Sequence, residues 1–296
     1  MIATLANTEM SVAVDVAYGA RITSIYDRVT GREWMLQGGR GVDVSDRAIY
    51  GGGEAIGWDE CFPTVLPWDG SGTVWGAKLR DHGVLWGRPA ELVEASDRHA
   101  VTTQFGEIFS FRRTLELHGP ILRATYRLEN RIREPLPYLW AAHGMLRVMP
   151  GDRIVLPGAA RVAASYLARG GKILAVPTLS WPGPDPAWPE SLDHVQPATA
   201  HLAAKLYLTD VAGGAAYVGN ETGWLRIGWS EEIDCLGIWL NYGGWPTSGD
   251  VHHVGLEPTN APVDDLGAAI ARATPPLPPR GQREWSVTYA LRAPAP

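Results

Sequence analysis

The segment FSFRRTLELHGPILRATYRL, residues 109–128, decides the fold class. In an extended chain Phe109, Phe111, Leu115 and Leu117 fall on one side together with Arg113, while Ser110, Arg112, Thr114 and Glu116 fall on the other. After Gly119-Pro120 the alternation resumes, with Leu122, Ala124, Tyr126 and Leu128 set against Arg123, Thr125, Arg127 and Glu129. Two period-two runs joined by a turn predict an antiparallel pair with one solvated face.

Similar signals flank this pair. Residues 11–27 (SVAVDVAYGARITSIYD) read as two short strands turning at Tyr18-Gly19, with a second turn over 27–31. The run 138–148 is more continuously apolar, as in a strand buried on both sides, and it carries His143. Strand-like runs recur at 203–208, 215–219, 224–229, 236–241 and 285–291. Residues 40–72, broken by Gly51-Gly52-Gly53, Pro63, Pro67 and Asp69-Gly70, read as a long loop, and 177–190 (PTLSWPGPDPAWPE) as an excursion over the surface. Only 264–273 reads as helix, with aspartates at its start and Pro275-Pro276 beyond its end. No repeat and no linker divides the chain. The expectation is an all-β antiparallel sandwich, residues 1–296 forming a single domain with very little helix.

A net charge of -6 with no basic patch argues against nucleic acid and against an anionic membrane surface as partners. Cys61 and Cys235 lack Cys-x-x-Cys spacing and read as reduced thiols. The N-terminus has no targeting signature and no stretch reaches the length of a membrane span, so the expected location is cytoplasmic. Thirteen tryptophans against four phenylalanines fit either a sugar-binding site, where indole covers the apolar face of a pyranose, or a Trp-rich core.

The chemistry concentrates in three stretches: DHGVLWGR (81–88), LWAAHGML (139–146) and HHVGLEPTNAP (252–262). In the last, Glu257 stands between an apolar approach and a turn held by Pro258 and Pro262, so it is expected at a strand end with little freedom. Other chemistries lack their residues. Asp59 and Glu60 are adjacent and would point to opposite faces of a strand, which excludes them as a glycosidase pair, and His252-His253 fail as a metal pair for the same reason. There is no His-Glu-x-x-His, no Gly-x-Ser-x-Gly elbow and no phosphate loop, and neither a metal nor another cofactor is expected.

A His-Gly motif, a strand histidine some sixty residues later and a late glutamate, in that order, resemble the aldose 1-epimerase (galactose mutarotase-like) family. GARITSIYDRVTGREWM and LPPRGQREWSVTYAL resemble that family's first hairpin and last strand. The resemblance implies a β-supersandwich and interconversion of the α and β anomers of an aldose. It implies Glu257 as base on the anomeric hydroxyl, His143 as acid on the ring oxygen, His82 as a sugar-holding residue and Lys205 as a further sugar contact. Ring opening needs one group that takes a proton at O1 and another that delivers one to O5, work suited to a carboxylate and an imidazole. Asn241, Tyr242 and Trp245, with Trp58 and Trp86, are candidates for a sugar platform.

Two departures leave the substrate open. GWDECFP (57–63) stands where galactose-type members are expected to have an arginine. Trp86 replaces the arginine of His-Gly-Phe-Ala-Arg in members that act on hexose 6-phosphates, although Arg80 or Arg88 could meet a phosphate or sulfonate. The alternatives are a catalytically silent sugar-binding sandwich and an epimerase of a phosphorylated, sulfonated or less usual sugar. The partner is expected to be a small sugar, and the chain a monomer or a homodimer.

Overall fold

The structure is a computed structural model that describes residues 1–38, 50, 56–156, 158–159, 161–186, 188–246 and 251–294. Gly51-Gly52-Gly53 and most of the first half of the expected 40–72 loop lie outside the described residues.

The alternating segment forms strands Phe109–His118 and Ile121–Asn130, paired antiparallel from Phe109↔Asn130 to His118↔Ile121. They sit within an eight-stranded sheet, where Ile121–Asn130 also pairs with Gln282–Ala290. A second, twelve-stranded sheet covers it. Its central strands run in the order Arg21–Asp27, Trp58–Cys61, Ala141–Leu146, His252–Thr259, Cys235–Tyr242, Leu202–Thr209 and Arg161–Arg169. Each neighbouring pair within the two sheets is antiparallel.

Period-two alternation places Leu115, Leu117, Leu122, Ala124, Tyr126 and Leu128 on the inner face of one sheet, against Trp58, Ala142, Leu256, Ile238 and Leu206 of the other. Aromatic rings bridge the layers: Trp58 meets Tyr289 edge-on at 4.3 Å, and Trp140 meets Trp285 at 4.9 Å. The expected helix is short, Leu266–Ala271, with the Asp265 carboxylate accepting from the Ala268 amide as its N-cap. Among the described residues no helix is long and apolar enough to cross a membrane.

Two sequence readings need correction. Trp58–Cys61, inside the expected loop, is a buried central strand, because its neighbours on both sides supply ladder partners that a four-residue run cannot announce. The 177–190 excursion does not simply cross the surface: Thr178–Ser180 pairs with Arg161–Arg169, and Leu179, Trp181 and Trp188 are buried in the core.

Glu60 on the Trp58–Cys61 strand points into the core and ties the sheets together. It accepts from Arg113 Nη1 at 3.1 Å, Tyr126 Oη at 2.9 Å and Trp140 Nε1 at 2.9 Å, and the same guanidinium donates to the Ala20 carbonyl. Burial pushes the Glu60 carboxyl up to about 7, against the pull of Arg113 and the three donors. Because this folded value lies above the ordinary 4.5, its contribution to stability is complete below about 4.5 and is lost as pH rises through about 7. His253 works in the opposite sense, since burial takes it from 6.5 to about 3. Subtracting Glu60→Gln from wild type isolates the glutamate. In denaturant unfolding the difference is expected to move against the wild type by about 3 kcal/mol at most between pH 4.5 and pH 8; a flat difference would remove Glu60 as the titrating group.

Candidate functional site

The outer face of the twelve-stranded sheet carries the residues that alternate with the core set. Asp59 stands opposite His143, and Gly237 opposite Glu257, while Lys205 stands opposite Trp239. Ala141↔Thr259 and Met145↔Gly255 bracket His143 and Glu257 and set them across from one another on this face. The ladder is interrupted between those brackets, where Pro258 has no amide hydrogen to offer. The sequence placed Glu257 at a strand end; it lies instead within His252–Thr259, two residues before the end.

A cavity of about 350 Å³ opens over this face. Tyr166, Trp239 and Trp245 form an aromatic side, and Asp81, His82, His143, Lys205, His253 and Asp264 a polar one. Glu257 does not itself form the wall. It is 1% exposed and lies just beneath, between His143 and Lys205, which both reach the cavity. Its Oε2 accepts from the Lys205 ammonium. Its Oε1 is buried without a hydrogen-bond partner, 3.8 Å from His143 Nε2. Gly237 and Gly255 leave room for it: a Cβ at Gly255 would come within 2.7 Å of Oε1, and one at Gly237 within 3.3 Å of Oε2.

Burial depresses the His143 imidazole well below its ordinary value, and the neighbouring charges of His82 and Lys205 press the same way. Its Nδ1 lies 3.0 Å from the Tyr50 hydroxyl, which also reaches Asp59 Oδ2 at 3.2 Å. Asp59 is in turn held by Arg21, with Nη2 to Oδ2 at 2.6 Å. Tyr50 stacks on the His82 ring at 3.8 Å, and His82 Nδ1 bonds Asp81 Oδ1 at 2.9 Å. Burial alone would lower the Lys205 ammonium, but Glu257 and Asp264 hold it above the ordinary lysine value. Trp239 Nε1 donates to His253 Nε2 at 2.9 Å, which fixes the indole in the wall, and burial keeps that imidazole neutral.

Of the residues singled out in the sequence, His143, Glu257, His82, Lys205 and Trp245 are brought together here. Five are not. Trp58 faces the core against Tyr289, because it alternates with Asp59. Tyr242 is likewise turned inward, one residue out of phase with the cavity face. Asn241 is on the right face, but its amide is used on the Trp245 backbone, donating to the carbonyl at 2.6 Å and accepting from the amide at 3.1 Å. Trp86 is fully buried, its Nε1 bonded to the Asp81 carbonyl and its ring edge-on to Tyr50. Arg88 is exposed outside the cavity. Arg80 is engaged with the Gly83 and Trp86 carbonyls.

Sequence reading missed Tyr50, Tyr166, Trp239, His253 and Asp264. For Trp239 and His253 a signal existed: with Glu257 on the cavity face, positions 255 and 253 share that face, and so do their ladder partners 239 and 241. Tyr50 and Tyr166 had none.

No protein-family model matches the sequence, and none of the curated proteins does. Solved structures do match in fold. A protein of Synechocystis sp. PCC 6803 superposes with a TM-score of 0.71 at 14% identity, covering 99% of this chain and 96% of its own. A galactose mutarotase related enzyme from Lactobacillus acidophilus gives 0.68 at 15%, covering 99% and 98%. The galactose 1-epimerase of Lactobacillus acidophilus NCFM gives 0.57 at 14%, covering 97% and 93%. The chain therefore has the galactose mutarotase-like fold, as its motifs implied.

The Lys205–Glu257 pair offers a direct check. Lys205→Met leaves a buried carboxylate without its counter-ion and is expected to cost about 3–5 kcal/mol in urea unfolding, whereas Lys205→Met combined with Glu257→Gln recovers much of the loss. Equal losses in the single and double variants would mean that the ion pair is not what Lys205 supplies.

Proposed function

We propose that the chain is an aldose 1-epimerase-type mutarotase, in which Glu257 takes the proton from the anomeric hydroxyl and His143 delivers one to the ring oxygen. The observation that supports this most is the unpartnered Glu257 Oε1 facing His143 Nε2 at 3.8 Å beneath a sugar-sized cavity. O1 and O5 are bonded to the same carbon, so an acid and a base set this close can address both at once. The hydroxyl has to reach between His143 and Lys205 to meet Oε1. Rotation about C1–C2 in the open form then presents the other face of the carbonyl, and the two groups exchange roles on closure.

Tyr50 positions the acid. Its oxygen, 3.0 Å from His143 Nδ1, holds the ring so that Nε2 is the nitrogen turned toward Glu257 and the cavity, where O5 is to be protonated. Trp239, Tyr166 and Trp245 supply the apolar wall that a pyranose face needs. Lys205 is the one lysine or arginine among the described residues lining the cavity, and its ammonium is bonded to Glu257. We therefore assign an uncharged aldose, rather than a hexose phosphate or a sulfonated hexose, as the substrate.

Anomer exchange measured by NMR magnetisation transfer on a panel of aldoses, hexose 6-phosphates and sulfonated hexoses tests this. Wild type is expected to accelerate exchange of a neutral sugar. Glu257→Gln and His143→Asn should each slow it by about 10²–10⁴-fold with sugar binding retained. Tyr50→Phe should lower kcat more than it raises KM, and Trp245→Ala the reverse. Sugar binding without accelerated exchange would replace this reading with a binding sandwich.

A further inference from the structure

Cys61 has no part in the proposed ring opening, yet it ends the strand that carries Asp59 and is fully buried beside the site. One ligand atom each from Cys61, His82 and His143 lie within 4.8 Å of one another. We propose that these three side chains, with Glu257 as fourth ligand, bind a borderline-soft divalent metal ion of the zinc class. A thiolate, two imidazoles and a carboxylate form the mixed sulfur, nitrogen and oxygen set that such an ion takes in tetrahedral geometry.

Three further observations support it. Both imidazoles have their Nδ1 atoms occupied, His82 by Asp81 Oδ1 at 2.9 Å and His143 by the Tyr50 oxygen at 3.0 Å, which leaves Nε2 as the ligand atom on each. The Tyr50 hydroxyl donates to Asp59, so it accepts from His143 Nδ1–H and the Nε2 lone pair is available. A carboxylate or hydroxyl behind each histidine is how metal-bound imidazoles are oriented. Secondly, Glu257 Oε1 is buried without a partner and stands 3.8 Å from His143 Nε2, so an acceptor already desolvated is offered to a cation. Thirdly, the charges favour a cation. Arg21 balances Asp59 and Lys205 balances Glu257, so Asp81, Asp264 at the cavity wall and an ionised Cys61 remain to balance a dication.

Tetrahedral zinc ligands stand about 3.3–3.8 Å apart, given metal–ligand bonds of about 2.0–2.3 Å. The cluster must therefore tighten, and His82, carried on a turn rather than a strand, has the most latitude to do so. On binding, the Cys61 S–H bond breaks, a metal–sulfur bond forms and the proton passes to solvent. The ion would engage both members of the proposed acid–base pair, so holding metal and opening a sugar ring are alternative states of one site. The metal proposal stands without the sugar reading, because its test is spectroscopic.

The experiment is a cobalt(II) titration of the reduced, chelator-treated full chain, with zinc X-ray absorption on wild type. Cobalt is expected to give a thiolate-to-metal charge-transfer band with the visible bands of a four-coordinate ion, saturating at one equivalent. The band should persist in Cys235→Ser and vanish in Cys61→Ser, and His82→Gln should weaken binding by about tenfold or more. The zinc shell should contain one sulfur at about 2.3 Å with nitrogen or oxygen at about 2.0–2.2 Å, a result independent of how any variant folds. A cobalt spectrum without the charge-transfer band, a band that survives Cys61→Ser, or a zinc shell without sulfur would overturn the proposal.

Discussion

The register of Ala141–Leu146 against His252–Thr259 is the constraint on which the rest of the molecule depends. Side chains alternate with a period of two, so a slip of one residue would send Ala142 and Leu256 to the cavity and bury His143 and Glu257 among leucines. The core holds that register. Ala142 and Leu256 pack under the opposite sheet, and Gly144 accommodates the Trp58 ring where any Cβ would overlap it. The geometry of the polar face is thus maintained by apolar contacts on the other side of the same strands.

The buried charges obey a second rule. Asp59, Glu60 and Glu257 are each nearly inaccessible, and each has a guanidinium or ammonium partner: Arg21 from the adjacent strand, Arg113 from the opposite sheet and Lys205 from the next strand but one. Removing either partner from such a pair costs far more than the pair contributes, so these contacts specify position more than they add stability. The two cavity histidines in the central strands have no such counter-ion in hydrogen-bond contact and are held neutral by burial. Tyr50, stacked on His82 and bonded towards both His143 and Asp59, joins the titrating groups to the fixed ones. By holding Nδ1 of His143, Tyr50 leaves Nε2 as the nitrogen that faces the cavity.

The tryptophan excess resolves in favour of the core. Trp34, Trp58, Trp86 and Trp140 are all fully buried, and only Trp239 and Trp245 meet the cavity. Composition could not separate these roles, because an indole suits either an apolar interior or a sugar face. Phase could have done so for Trp58, since on a strand it shares the face of Glu60 and not that of Asp59.

Local pattern determined much by itself. The alternation in residues 109–128, the turn residues between runs and the opposite directions of Asp59 and Glu60 follow from the geometry of one extended chain, which needs no knowledge of its neighbours. The order of His82, His143 and Glu257 was likewise legible as a motif. Only the tertiary structure decided that Trp58–Cys61 is a central strand, that Asn241 serves the Trp245 backbone, and that Lys205 is bonded to Glu257. It also brought Tyr50, Tyr166 and Cys61 to the same site. Those facts depend on which strands lie side by side, and ladder partners separated by tens to hundreds of residues leave no periodic trace in the sequence of either one.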